Sequence, residues 1–308
     1  MEIIVLGAGA IGSLYGAKLA AANEVTLIGR AAHVTAINSR GLRIEGIEPQ
    51  LVRIRAATAV EQIGANALIL LTTKVPGSVA ALAPLAPLMR DDTTILCLQN
   101  GLGSERIARD ALGGRGLVLR GIIQFGATFK EPGVIQHMTT GYTVIEQHQR
   151  SNRVAAVLTA AGLDGRVSPN IARDVWHKLI LNCVVNPITA ILGCEVGGIA
   201  NPQLDALKQL VIDECVAVAA TQSLTFEVNF LRQITEVFGP SRNIASMLQD
   251  LRRGRVTEID YLNGAVAALG AGQGAPCPVN DALTAIIKAM EERSRSLLPK
   301  KVLEPQPA

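Results

Sequence analysis

Met1-Glu-Ile-Ile-Val5-Leu-Gly7-Ala-Gly9-Ala-Ile-Gly12 opens the chain, and its reading decides the fold of the first half. Four apolar residues, Ile3 to Leu6, run directly into glycines at the first, third and sixth positions of a G-x-G-x-x-G pattern. That order fits a strand, a tight turn and a helix N-terminus. The first glycine permits the turn, the second lets backbone approach a pyrophosphate, and the third lets the helix lie close on the sheet. The backbone of Gly7, Ala8, Gly9, Ala10, Ile11 and Gly12 is therefore the candidate phosphate cradle, where unsatisfied N–H groups meet the positive end of a helix dipole. A glycine-rich turn alone could carry the same pattern. The helical spacing that follows, Leu14 and Leu19 with small Ala17 and Ala20, supplies the context that the motif requires.

Outward from this stretch, strand and helix signals alternate. Strands are expected at 2–6, 25–28, 51–55, 67–72, 94–98, 117–125 and 142–146, and helices near 13–22, 31–39, 77–89 and 104–111. Continuous apolar runs such as Ala67-Leu68-Ile69-Leu70-Leu71 suit strands covered on both faces. Residues 42–55 read as a short inserted hairpin. After about residue 168 strand signals stop, and helices are expected at 171–192, 202–220, 224–238, 242–253, 257–272 and 279–296. The expected architecture is an α/β Rossmann-type doubly wound domain over 1–168, followed by an all-α domain over 169–308. The end of the chain, from Pro299, has turn formers without periodicity and reads as a frayed tail.

Composition narrows the function. The 308 residues are 49% hydrophobic and 18% charged, enough for two substantial cores. A net charge of +3, 3% aromatic residues and only a short basic run, Arg252-Arg253-Gly254-Arg255, argue against nucleic acid. No run of about eighteen uninterrupted apolar residues points to a membrane span, and the first residues lack a basic leader region. The five cysteines, 97, 183, 194, 215 and 277, form no C-x-x-C pair. Buried thiols in a cytoplasmic protein and no metal site are the expectation.

The second strand ends in Gly29-Arg30, eighteen residues past Gly12, with no acid at 28–31. NAD sites place an Asp or Glu there to accept from the ribose hydroxyls, whereas Arg30 suits a 2′-phosphate. The expected cofactor is NADP(H), although an exposed arginine at a strand end would look the same. Lys74 and Asn100 follow the strands at 67–72 and 94–98, at carboxyl ends where open parallel sheets bind ligands.

A second constellation lies in Trp176-His177-Lys178-Leu-Ile-Leu-Asn182-Cys-Val-Val-Asn186-Pro187. Lys178, Asn182 and Asn186 are spaced i, i+4, i+8, drifting only about 40° per step, so they form one stripe on a helix. Their neighbours are apolar. Buried polar groups need partners, which a polar substrate would provide; solvent or core hydrogen bonds are the alternatives. Burial can lower a lysine pKa and let Lys178 act as a proton donor. Farther on, Thr257-x-x-Asp260 reads as a capping box, with Glu258 complementing the helix dipole.

Together, Gly7-x-Gly9-x-x-Gly12, Lys74, Gln99-Asn100-Gly101, Trp176-x-Lys178-x-x-x-Asn182-x-x-x-Asn186-Pro187, and Ser246-Met-x-Gln-Asp250 followed by Thr257-Glu258-Ile-Asp260 resemble the 2-dehydropantoate 2-reductase (ketopantoate reductase) family. The resemblance extends over nearly the whole chain. It implies NADPH-dependent reduction of 2-dehydropantoate to (R)-pantoate, with hydride transfer to the C2 ketone. It implies Lys178 as general acid and Glu258 as the group that holds the developing hydroxyl or orients Lys178. Asn182, Asn186 and Ser246 would bind the substrate's carboxylate and far hydroxyl, and Lys74 and Asn100 would bridge cofactor and substrate. Val75-Pro76-Gly77 departs from the aromatic or small residue and then polar residue common after that lysine, which leaves the exact 2-oxo acid open. A reductase of another branched 2-oxo acid, an opine-type dehydrogenase and a non-catalytic NADP(H) sensor are the competing readings. Apolar helices in the second half leave room for a homodimer.

Overall fold

The structure is a computed structural model and describes residues 1–297; the expected C-terminal tail lies outside the described residues. The described residues divide into two compact units, one formed by Met1–Gln99 and Gly103–Ile171, the other by Asn100–Leu102 and the residues from Ala172 onward.

The first unit is built on β1 (Glu2–Leu6), α1 (Ala10–Leu19), β2 (Glu24–Ile28), α2 (Ala31–Arg40), β3 (Leu42–Gly46), β4 (Gln50–Val52), β5 (Arg55–Ala57) and β6 (Leu68–Leu71). It continues through α3 (Ser78–Leu82), β7 (Thr94–Cys97), α4 (Ser104–Ala111), β8 (Leu117–Ile123), β9 (Gly126–Glu131), β10 (Val134–Thr139), β11 (Thr143–Glu146), α5 (Ser151–Ala160) and β12 (Gly165–Ser168). Eight strands form one sheet in the order β12-β11-β8-β7-β6-β1-β2-β5. All neighbours are parallel except β8 and β11. From β5 to β8 the order is that of a Rossmann sheet, and β1, which pairs with both β2 and β6, marks the switch point where such sheets bind ligands.

Alternate residues of β1 enter different cores. Ile3 and Val5 pack on one face with Leu14 and Leu27, while Ile4 and Leu6 pack on the other with Ile69 and Ile95. Both faces are covered, which is why these strands read as unbroken apolar runs. A second sheet, β4-β3-β10-β9, covers the outer side of α1. That helix is thus buried on two sides, and Tyr15 reaches through to give its hydroxyl proton to Thr143 Oγ1 at 2.7 Å.

Several expectations need correction. The span 77–89 is not one helix: Pro84 and Pro87 confine α3 to five residues between two short 3₁₀ segments. The strand at 51–55 splits, with β4 closing the β3 hairpin and β5 joining the main sheet. The strand at 117–125 ends at Ile123, and β9, β10, β12 and α5 had not been expected.

The second unit contains α6 (Ile171–Leu192), α7 (Asp205–Thr221), α8 (Phe230–Phe238), α9 (Ser246–Arg252), α10 (Asn263–Gln273) and α11 (Pro278–Leu297). Its core is centred on α6, which buries residues all round, from Leu179 to Ala190. By length and composition α6 could cross a membrane, but 72% of its apolar window is buried within the protein. The helix expected at 257–272 begins only at Asn263, after a 3₁₀ turn at Ile259–Tyr261. The capping box is absent because Asp260 binds Lys288, while Glu291 Oε1 accepts the Thr257 N–H at 2.7 Å.

Candidate functional site

In the first unit the three glycines of the opening motif do different work. Gly7 has φ +112°, and a Cβ there would lie 2.5 Å from the Thr73 nitrogen at the end of β6. A Cβ on Gly12 would lie 2.5 Å from Thr72 Oγ1 and closer still to the Gly7 carbonyl oxygen. These two glycines let β1, β6 and α1 pack, and Thr72 Oγ1 adds a hydrogen bond to Gly7 O at 2.8 Å. A Cβ on Gly9 would meet nothing within 4 Å. Of the three, only Gly9 faces open space, where a bound group could approach the backbone.

The N–H groups divide in the same way. Those of Gly7 and Ala8 both donate to Ile28 O, at 3.0 and 2.7 Å, and that of Gly9 donates to Gly7 O. They close the turn and are not available to an anion. Ala10, Ile11 and Gly12 form the first turn of α1, and their N–H groups donate to no protein acceptor among the described residues. The cradle expected over six residues is thus offered by three amides with Gly9 beside them, a set that fits a pyrophosphate.

Arg30 is exposed at the end of β2 and stands at the N-cap of α2. Lys74 follows β6 as the N-cap of the 3₁₀ turn formed by Val75-Pro76-Gly77, whose last N–H donates to Lys74 O at 3.0 Å. The departure at 75–77 therefore has a structural expression: Val75 is buried, while Pro76 and Gly77 present no polar side chain.

Two residues organise these loops: Gln99, which the sequence reading quotes without assigning it a role, and Arg120, which it does not name. Gln99 Nε2 donates to Thr73 O and Ser78 Oγ, each at 2.7 Å, tying the Lys74 loop to the end of β7. Arg120, buried within β8, donates to Gln99 O at 2.7 Å and Ser104 Oγ at 2.8 Å. A charged residue inside the apolar run 117–123 was the available signal, since a buried guanidinium requires such partners.

In the second unit, Lys178 Nζ donates to Asn100 Oδ1 at 2.9 Å, and Asn100 Nδ2 donates to Glu258 Oε2 at 3.3 Å. These residues, far apart in sequence, form one chain of hydrogen bonds. Gly101 makes the approach possible: its φ is +81°, and a Cβ would fall on the Tyr261 carbonyl oxygen, which accepts the Leu102 N–H at 3.1 Å. Glu258 caps the turn containing Tyr261, so docking the 100–102 segment there brings Asn100 to the carboxylate. The carboxylate can only accept, so it fixes the amide with its oxygen toward the lysine.

Asn182 and Asn186 follow on α6, one and two turns beyond Lys178. Asn186 is 8% exposed, and its side chain has no hydrogen bond among the described residues. Ser246, the first residue of α9, is exposed. His177 turns away from Lys178, with Nε2 3.0 Å from Gln233 Oε1 and its ring against Phe230. Burial lowers the His177 pKa, and the bond to Gln233 opposes that shift. The Cys183 thiol is held well above its ordinary value by burial and by neighbouring Cys215, which makes it inert.

Residues 3–150 match the model of the ketopantoate reductase PanE/ApbA family, and residues 170–291 match that of its C-terminal domain. A 2-dehydropantoate 2-reductase from Pyrococcus horikoshii is 39% identical, with 94% of this chain and 98% of that one covered. The chain belongs to the ketopantoate reductase family. Another family relative, from Mesorhizobium japonicum, is 32% identical over 94% of this chain and 98% of its own. The crystal structure of a PanE/ApbA family ketopantoate reductase from Ralstonia eutropha superposes with a TM-score of 0.88 at 32% identity, covering 96% of this chain and all of that one. A D-mandelate dehydrogenase in ternary complex with NADH and anilino(oxo)acetate gives 0.90 at 28% identity, with 96% and 99% covered. The expected family and the Rossmann-plus-helical architecture are both borne out.

Proposed function

We propose that this chain is a cytoplasmic, NADPH-dependent reductase that converts 2-dehydropantoate to (R)-pantoate. The observation that carries the proposal is the Lys178–Asn100–Glu258 hydrogen-bond chain, which presents a lysine ammonium held by an amide whose orientation a carboxylate fixes. Family membership supplies the substrate class.

Residues 1–168 would hold the cofactor and 169–308 the substrate and the acid. The amides of Ala10, Ile11 and Gly12 would bind the pyrophosphate, and Arg30 the 2′-phosphate of NADPH. When bound, the reduced nicotinamide supplies the hydride to the C2 carbonyl. Lys178 polarises that carbonyl and gives a proton to its oxygen, so that no free alkoxide forms; the neutral amine is reprotonated from solvent. Asn100 Oδ1 holds the ammonium before transfer, and Glu258 holds Asn100. Asn182 and Asn186, with Ser246, would take the carboxylate and far hydroxyl of the substrate. Lys74 would contact the cofactor. Five free cysteines, four of them buried, accord with a reducing compartment.

The similarity to D-mandelate dehydrogenase favours one competing reading, an NADH-linked enzyme acting on an aryl 2-hydroxy acid. Oxidation of NADPH and of NADH over a panel of 2-oxo acids decides between them. The panel should include 2-dehydropantoate, 2-oxo-2-phenylacetate and straight-chain acids. The highest kcat/KM with 2-dehydropantoate and NADPH is expected. Preference for the phenyl acid with NADH would replace the proposal, and binding of NADPH without turnover of any acid would leave a sensor.

A further inference from the structure

Helix α6 carries Lys178, Asn182 and Asn186 and contains Pro187 within its span. Proline has no N–H, so the carbonyl four residues earlier, that of Cys183, loses its intrahelical donor, and the ring crowds the same carbonyl. The weakened turn is the one bounded by Asn182 and Asn186. A residue preceding proline is also biased away from helical conformation, and here that residue is Asn186. The turn that presents both candidate substrate contacts therefore needs support from outside the helix.

Asn263, the first residue of α10, provides it. Completely buried, it donates from Nδ2 to Cys183 O at 2.9 Å and to Asn280 Oδ1 at 2.9 Å. Asn280 is oriented in turn, because its Nδ2 donates to Glu214 Oε2 at 2.7 Å and its oxygen is left facing Asn263. Glu214 also accepts the N–H groups of Val279 and Asn280, at 2.8 and 2.9 Å. The network runs from a carboxylate on α7 through two amides to the bare carbonyl on α6. Asn263 Oδ1 is buried without a hydrogen-bond partner. An unsatisfied oxygen opposes stability, so the position is organised around its donors.

We propose that Asn263 is a positioning residue for the substrate. By replacing the hydrogen bond that Pro187 removes, it sets the Asn182–Asn186 turn and so controls affinity for the 2-oxo acid. This rests on the reading of Asn182 and Asn186 as substrate contacts, and no part of it involves the cofactor amides of the first unit.

The test is a cycle of Asn263→Ala, Pro187→Ala and the double variant, read by Tm, by kcat, and by KM for 2-dehydropantoate and for NADPH. Asn263→Ala should raise KM for the oxo acid roughly tenfold, the scale of one lost hydrogen bond, with KM for NADPH unchanged. In the double variant, the alanine that replaces Pro187 carries an N–H that reaches Cys183 O, and much of the loss in KM and Tm should be recovered. Equal penalties for Asn263→Ala with and without the Pro187→Ala substitution would overturn the proposal, as would a parallel rise in KM for NADPH. Should Asn263→Ala fail to fold, a folded double variant supports the proposal and failure of both overturns it. Absence of turnover by the wild type defeats the functional reading instead, and coupling in Tm then decides whether Asn263 compensates for Pro187.

Discussion

Gly9 and Gly12 belong to one motif, yet the structure assigns them opposite sensitivities, and alanine at each position separates ligand binding from folding. At Gly12 an added Cβ would stand 2.5 Å from Thr72 Oγ1 and nearer still to the Gly7 carbonyl oxygen. Ordinary contact begins near 3.4 Å, so α1 must shift by about 1 Å relative to β1 and β6. Overpacking of this kind costs about 1–3 kcal/mol. For a unit of this size that lowers Tm by about 3–10 °C. At Gly9 nothing lies within 4 Å, and φ is −80°, which alanine accepts without strain. Gly9→Ala should therefore stay within about 0.5 kcal/mol of wild type in stability. A methyl group there would nevertheless hold a pyrophosphate away from the amides of Ala10, Ile11 and Gly12. One lost charge-assisted hydrogen bond, about 1.5–3 kcal/mol, weakens NADPH binding roughly 10- to 100-fold. The assay pairs thermal unfolding with titration of NADPH fluorescence. A Gly9→Ala protein that binds NADPH as wild type does would refute the reasoning. So would one that loses as much Tm as Gly12→Ala.

Two further predictions concern charge. Arg30→Asp should shift the kcat/KM ratio of NADPH to NADH toward NADH by at least roughly tenfold, because a charge-assisted phosphate contact becomes a repulsion; steady-state kinetics with both cofactors read it directly, and an unchanged ratio removes Arg30 from the phosphate site. His33 should make stability depend on pH: its Nδ1 accepts the Gly133 N–H at 2.9 Å, so the proton sits on Nε2 facing Ser13 Oγ at 3.1 Å, and burial lowers its pKa below 6.5. The unfolded state then binds more protons, so this contribution is fully present above pH 6.5 and is lost as pH falls from there through the depressed value. Urea unfolding between about pH 7.5 and 5 should show falling stability, with a shallower slope in His33→Gln. The remaining slope belongs in part to His177, which shifts in the same direction.

What the sequence made legible was local. The strand–glycine–helix opening and the length of α6 follow from periodicity over a dozen or two residues. The second sheet was not legible, because β10 pairs with β3 across some ninety residues and both strands are short. Nor was α5, whose N-cap, Arg150, makes no side-chain capping hydrogen bond. In the candidate site, the Lys178–Asn182–Asn186 stripe was visible from its spacing. The meeting of Asn100 with Glu258 bridges 158 positions and depends on Gly101 lying against Tyr261. Gln99, Arg120 and Asn263 act only through tertiary contacts, and their trace in the sequence is a polar residue beside an apolar run. The spacing around Glu258 reads only as a helix start; its hydrogen bond from Asn100 arises between residues far apart in the chain.

Lys178, as the group that protonates the C2 oxygen, is the residue on which the proposed reaction depends most. Its most direct test is steady-state oxidation of NADPH with 2-dehydropantoate by the wild type and by Lys178→Ala, alongside NADPH binding by both. Turnover by the wild type, with kcat reduced at least about 100-fold in the variant and NADPH affinity retained, is the predicted result. Near-normal kcat in Lys178→Ala would contradict it.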